Sequence, residues 1–431
     1  MDKKTNPGIP EDIKTSKHAG HKIRTGKTIV DRSKIALLGE HSAAAPAGST
    51  AAPAGKQPNQ YNGHTYINKS EKFRLDGHKM IYHCDRILAW QKGERIAPIH
   101  IDMGLTKFCN MGCIYCIGVT QIMSKDTMIL PDALLRFIED AGRVGVKSIG
   151  FIGDGEPTLN PAMYDSIVTA KKLGIDIGTA TNGLLLDMNR AHDVLRDSTF
   201  LRINLSAATP EGFRKIHQSP EKNFDMLIDK LKALVKIRKE NKYKCTLGIQ
   251  MVLIKENFDQ VLKLAKLGAE IGVDYLQVKQ CSDTEYKEIG VNHADYQQMT
   301  GELKEAEKLS SANYLVKVKW NKINILNETD VYKKGFRKYD ICYGTPFLGQ
   351  ISGNGKVYPC GPFFSKERFL MGDIHTESYY DIVKGDRYWK VQQDIIDNID
   401  VHYDCTVGCR QDYINKFLWD LKNPPEHINF I

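Results

Sequence analysis

Nowhere in the 431 residues does an apolar run reach the ~18 residues that a membrane-spanning helix needs, so no transmembrane span is expected. The opening stretch, MDKKTNPGIPEDIK, has no apolar core of a secretory signal, and the expectation is a cytoplasmic protein. A large charge excess is missing too. The chain has 60 Lys/Arg and 52 Asp/Glu, a net +8, and residues 1–35 hold nine basic and four acidic residues, or +5 of that total. What remains is near balance, which argues against an extended nucleic-acid surface. No internal repeat is evident. The 42% hydrophobic and 26% charged content is that of a soluble globular protein, and the length suits two to three domains. Cysteine is not scarce. Ten of them without a secretory signal point away from disulfides and toward metal or redox chemistry.

Residues 1–60 read as a flexible basic tail. Within them 42–55, SAAAPAGSTAAPAG, has too little apolar surface to offset the entropy of ordering. From about residue 95, short β-branched runs alternate with amphipathic stretches. Strands are expected at 98–103, 147–152, 175–180, 200–205, 246–253 and 275–279. Helices are expected at 130–143, 160–172, 224–239 and 258–271, the second opening on Asn160-Pro161 and the last stopped by Gly272. Six strands joined by helical crossovers imply a parallel sheet or barrel with its chemistry at the C-terminal strand ends. Past about 310 the rhythm fades. Residues 335–431 read as a small metal-stapled module with a hairpin around 353–357.

The sharpest signal is CNMGCIYC, in which Cys109, Cys113 and Cys116 are spaced C-x3-C-x2-C directly after the first expected strand. Three thiolates on one loop can ligate three irons of a 4Fe–4S cluster and leave the fourth iron open. A structural zinc wants four protein ligands. Tyr115 precedes the last cysteine. It is either a packing residue or, as the catalytic candidate, an oxygen donor to the open iron when no cofactor is bound. This motif, with its aromatic before the last cysteine, resembles the signature of the radical S-adenosylmethionine (SAM) superfamily.

The resemblance implies an α/β fold, a partial (β/α)6 TIM-like barrel over 95–310 with 61–94 packed on it. It also implies SAM chelating the open iron, and a low-potential donor whose electron cleaves SAM to methionine and a 5'-deoxyadenosyl radical. Gly153, Asp154, Gly155, Glu156 and Pro157, after the second strand, resemble the family's GGEP element. That likeness makes Glu156 an acceptor for the SAM ammonium. Asp154 departs from the pattern. Thr181-Asn182-Gly183 resembles the family's TNG turn, and Asn204 and Ser206 resemble its ribose-contacting positions. Gln250, and Lys279 or Gln280, are candidates for reaching the adenosine or the substrate.

A second set, Cys342, Cys360, Cys405 and Cys409, lies in the expected C-terminal metal-binding domain, 311–431. Four thiolates can saturate one centre, whether iron, zinc or a closed cluster. The C-x12-G-x4-C spacing through Gly355 resembles the shortened twitch domain, since a full SPASM domain needs more cysteines than remain. Cys84 and Cys245 read as packing residues. Cys281 sits past the sixth strand, where a thiol can return a hydrogen atom to a radical, although a bystander role is the simpler one.

The loop with Tyr115, the GDGEP turn and the four late cysteines together resemble the archaeal methanogenesis-marker proteins that methylate an arginine carbon in methyl-coenzyme M reductase. That likeness implies a protein or peptide substrate and a methyl-carrying cobalamin, because an unactivated sp3 carbon is not methylated by simple displacement. No separate N-terminal cobalamin domain is evident, which leaves about 283–431 for such a site. Two other readings stay open. One is a radical SAM dehydrogenase or epimerase of a small polar metabolite with an auxiliary cluster. The other is a non-catalytic metal-binding protein that uses its basic tail for partners.

Overall fold

The computed structural model describes residues 78–117, 127–282, 289–291, 295–320, 323, 337–405 and 409–430; the expected tail 1–60 lies outside them. Six parallel strands carry the barrel: β1 (His100–Met103), β2 (Ser148–Phe151), β3 (Asp176–Thr181), β4 (Phe200–Asn204), β5 (Thr246–Leu253) and β6 (Tyr275–Gln280). All six expected strands are present, within two residues at each end. The rhythm runs one unit further than expected. β7 (Leu315–Val318) pairs parallel with β6 after a helix at Thr300–Glu307. Its four residues are too short a run to stand out from the polar sequence around it.

At the opposite edge the late module joins the same sheet. β8 (Leu348–Ile351) pairs parallel with β1. β9 (Lys356–Tyr358) returns antiparallel, forming the expected hairpin with Gly355 at φ 80, and β10 (Gly372–Asp373) follows. The sheet order is β10-β9-β8-β1-β2-β3-β4-β5-β6-β7.

Local chemistry explains the crossovers. The helix Pro131–Val144 starts on proline and ends at Gly145 with φ 87, and Val261–Ile271 ends at Gly272 with φ 85. Two further helices, Ala191–Asp197 and Pro210–His217, stand where no helix is expected, because each is at most eight residues, shorter than the window over which helical periodicity is read.

Alternation along the strands sorts the barrel. Leu201, Ile203, Leu247, Ile249, Met251, Leu276 and Val278 are buried against the helices in one continuous core. The intervening residues Arg202, Asn204, Gln250, Gln277 and Lys279 take the other face, the barrel interior. Among the described residues, no helix is long and apolar enough to cross a membrane.

Candidate functional site

Beyond β1 the chain enters the cysteine loop, and two other backbone segments, the GDGEP turn and the late hairpin, press against it. A Cβ on Gly153 would stand 2.5 Å from the Gly104 nitrogen. One on Gly155 would stand 2.3 Å from the Phe108 carbonyl oxygen, and one on Gly353 would stand 2.3 Å from the Thr106 oxygen. These neighbours are backbone, so only glycine fits. The Glu156 amide donates to the Phe108 carbonyl at 2.9 Å and locks the GDGEP turn under the loop.

Asp154, the departure from the family pattern, has a definite task. Its Oδ2 accepts from the Ser352 hydroxyl at 2.5 Å and the Gly353 amide at 2.9 Å. It therefore ties the turn after β2 to the hairpin of the late module.

Glu156 is 3% exposed, and both its oxygens are engaged by the protein. Oε1 accepts from the Thr158 amide (3.0 Å), the Thr158 hydroxyl (2.7 Å) and the Thr181 hydroxyl, while Oε2 accepts from the Asn182 amide (2.7 Å). Burial pushes its carboxyl up, against the pull of these bonds. The carboxylate thus splices the TNG turn after β3 onto the GDGEP turn after β2, with the buried Pro157 opening a 3-10 turn. Asn182 then aims its amide nitrogen at Asn110 Oδ1 (2.7 Å) and Cys109 Sγ (3.8 Å).

Cys113 meets a histidine that no motif announces. His217 is fully buried, and its Nε2 accepts from the Ser206 amide at 2.9 Å. Burial pushes its pKa down to about 3, so the ring is neutral and its proton sits on Nδ1, 3.1 Å from Cys113 Sγ. Tyr115 packs edge-on to this ring. Its hydroxyl bonds to the Cys113 thiol and takes the Ser206 hydroxyl hydrogen at 3.1 Å. Ser206 Oγ in turn accepts from the Val252 amide at 3.0 Å. Asn204 and Gln250 join Gln277 in an amide ladder along one interior row: Gln277 donates to Gln250 at 2.9 Å, and Gln250 donates to Asn204 at 3.1 Å. Lys279 lies at the top of the interior, where burial and Arg202 push its ammonium down to about 8.

Burial raises the Cys109 thiol to about 11 and the Cys113 thiol to about 12, and each feels the negative charge of Cys116. Among the described residues no three His, Cys, Asp or Glu side chains converge on a point that would hold a single ion. Three thiols on one loop suit a cluster, in which each sulfur takes its own iron, better than a structural zinc, which wants four protein ligands.

The four late cysteines also share one field. Cys360 is raised by burial first and then by Cys342, Cys409 and Cys405. Asn415 Nδ2 lies 3.2 Å from Cys342 Sγ, while its Oδ1 accepts from the Tyr343 and Gly344 amides at 2.7 Å each. Arg410, next to Cys409, reaches into the barrel. Its Nε donates to Asp102 Oδ2 at 2.7 Å, and His100 Nε2 stands 2.8 Å from Asp102 Oδ1. Sequence reasoning passed over Asp102, Arg202 and Gln277. Their signal is a polar residue at interior parity in an otherwise apolar strand. His217 gives no signal at all.

Residues 103–268 match the radical SAM superfamily, and residues 342–410 match the SPASM iron–sulfur cluster-binding domain. The second match replaces the twitch expectation, and it spans the stretch that holds all four late cysteines. The cofactor-modifying protein of tungsten-containing aldehyde ferredoxin oxidoreductase from Pyrococcus furiosus is 25% identical over 67% of this chain and 82% of its own. The PqqA peptide cyclase of Streptomyces rochei is 24% identical over 44% of this chain, which spans about half (49%) of that relative. The crystal structure of Streptococcus suis SuiB bound to SAM superposes with a TM-score of 0.54 at 15% identity, covering 73% of each chain. At that identity the likeness is one of fold.

Proposed function

Starting from a chain that belongs to the radical SAM superfamily and carries a SPASM domain, we propose that it modifies an unactivated position of a peptide or protein substrate. The single observation that carries the reading is the three-thiol loop pinned at the C-terminal end of β1 by glycine-only contacts with the GDGEP turn. Cys109, Cys113 and Cys116 would hold the SAM-binding 4Fe–4S cluster. With SAM bound, that cofactor pair supplies the 5'-deoxyadenosyl radical that takes a hydrogen atom from the substrate.

The protein's own part is placement. Glu156 fixes the two turns that border the loop. His217 offers a proton to one cluster sulfur, and Tyr115 closes the inner side of the loop. Asn204, Gln250 and Gln277 furnish an ordered amide row inside the barrel, facing away from the helices. Cys342, Cys360, Cys405 and Cys409 would hold a second centre, and the SPASM match favours an iron–sulfur cluster there. The peptide cyclase among the relatives supports a peptide substrate.

The narrower reading is cobalamin-dependent methylation of an arginine in methyl-coenzyme M reductase. It rests on the combined motif pattern alone. A second reading, modification of a small molecule, is favoured by the cofactor-modifying relative, which this chain matches over 82% of its length.

Anaerobic incubation of reconstituted protein with SAM, a strong reductant and candidate peptides tests all three by mass spectrometry. Release of 5'-deoxyadenosine, lost in Cys113→Ala, is expected, together with a mass change on a peptide. One added methyl on arginine that requires cobalamin selects the narrower form. Release of 5'-deoxyadenosine with only small molecules altered selects the second reading. No 5'-deoxyadenosine at all removes the enzyme reading.

A further inference from the structure

At the end of the barrel opposite the cysteine loop, a cavity of 470 Å³ sinks between the N-terminal ends of β4, β5 and β6. Its volume is that of a small-molecule site. Its walls are aromatic. The Phe200 ring lies against Gly178 and the Tyr275 ring against Gly248, so closely that a Cβ on either glycine would stand 2.1 or 2.2 Å from ring carbons. The two glycines therefore set both rings flat on neighbouring strands, with Arg202 on the strand between them.

Charge in the cavity is of one sign. Lys171, Arg196, Arg202, Lys242 and Lys244 line it, and no Asp or Glu does among the described lining residues. Arg196 is neutralised by Asp193 and Asp197. No carboxylate pairs with Lys171, Lys242 or Lys244 among the described residues.

The decisive residue is Arg202. It is 7% exposed and stands 5.8 Å over the Phe200 ring; among the described residues its Nε has no hydrogen-bond partner and its guanidinium no ion pair. The carboxylate it feels most, Asp102, is already taken by Arg410 and His100. Ser198, 6% exposed and also lining the cavity, has no hydrogen-bond partner for its hydroxyl among the described residues. Burying an arginine with no ion pair is costly in general, and folds keep such a group where something else completes it.

We propose that this cavity binds a small phosphoester carrying a planar ring, such as a nucleoside monophosphate. The phosphate would meet Arg202 and Ser198, and the ring would lie between Phe200 and Tyr275. A guanidinium fork grips two oxygens of a phosphate at once, and the three unpaired lysines at the mouth favour a dianion over a single carboxylate. The site lies away from the cofactor end, so it stands or falls independently of the peptide reading.

Calorimetric titration of the full-length, anaerobically reconstituted protein tests it, with saturating SAM in every arm to block the cofactor end. The probes are AMP, UMP, adenosine and an Asp/Glu-rich peptide. Both monophosphates are expected to bind saturably, and adenosine at least tenfold more weakly than AMP. Arg202→Met should weaken the monophosphates at least tenfold while its thermal midpoint stays level or rises, since a buried charge with no ion pair is removed. The exposed pair Lys242→Glu and Lys244→Glu, which leaves the core untouched, should weaken AMP in the same direction. No saturable monophosphate binding overturns the assignment. So does AMP affinity unchanged in both the Arg202 and the double lysine variants, a large fall in thermal midpoint for Arg202→Met, or binding of the acidic peptide alone.

Discussion

Arg410→Met tests how the late module is fastened into the barrel. The Asp102 carboxylate, 14% exposed at its side chain, is held by Arg410 Nε at 2.7 Å and by His100 Nε2 at 2.8 Å. Burial pushes this carboxyl up, but the Arg410 charge and then His100 overcome it and hold it well below the usual carboxylate range. A fully buried pair broken on one side costs about 3–5 kcal/mol, and an exposed one at most about 1. The Arg410 side chain is one-third exposed, so the expected cost lies between, at about 2 kcal/mol near pH 7. The pH dependence has a definite sign. A carboxyl whose folded pKa is depressed adds stability above its unfolded pKa of about 4 and loses it as pH falls through the acid range. The gap between wild type and Arg410→Met should therefore be full near pH 7, begin to narrow below about pH 4 and still be open at pH 3, because the folded carboxyl titrates well below that. Asp102→Asn combined with Arg410→Met removes both charges, and it should recover about half of the loss. Urea unfolding followed by circular dichroism across this pH range is the assay, with iron per chain as a second readout. A gap that widens on acidification, or a double variant that costs the sum of the singles, would refute the reasoning.

Gly155→Ala places a methyl 2.3 Å from the Phe108 carbonyl oxygen; the loop must move, costing about 1–3 kcal/mol and lowering iron incorporation as measured by chemical assay. His217→Phe keeps the ring volume beside Phe213 but removes the Nδ1 proton from Cys113. The reconstituted cluster should then titrate at a more negative potential in an EPR-monitored redox titration, because hydrogen bonds to cluster sulfur favour the reduced state. Asp154→Ala removes the one oxygen that accepts from both the Ser352 hydroxyl and the Gly353 amide, and it should lower stability by about 2 kcal/mol in urea unfolding, with metal lost preferentially from the late site. Cys405→Ala with Cys409→Ala should remove the iron held by the late site while leaving the SAM-cluster EPR signal in place.

The strands were legible because each buries one face against helices and repeats with period two, a pattern that survives without tertiary context. The cysteine loop was legible because a cluster fixes ligand spacing along a short stretch of chain. What stayed hidden depends on distances the sequence does not carry. Asp154 reads as an odd insertion until Ser352, 198 positions later, stands at its carboxylate. Glu156 reads only as a ligand for a cofactor ammonium, and its second task, joining Thr181 and Asn182 from the next strand, shows only in the fold. His217 sits in an eight-residue helix with no motif, and only the fold sets it between the Ser206 amide and Cys113. The short strand β8 looks like part of a separate module because local pattern cannot reveal that its edge partner is β1, almost 250 residues earlier. Joined in that way, the late cysteines are not an appendage. Any shift of the hairpin carries Gly353 against Thr106 and moves Ser352 and Gly353 relative to Asp154 of the GDGEP turn, so the geometry of the two cysteine sets is coupled through these contacts. That coupling explains why the turn after β2 tolerates, and uses, a carboxylate between its glycines.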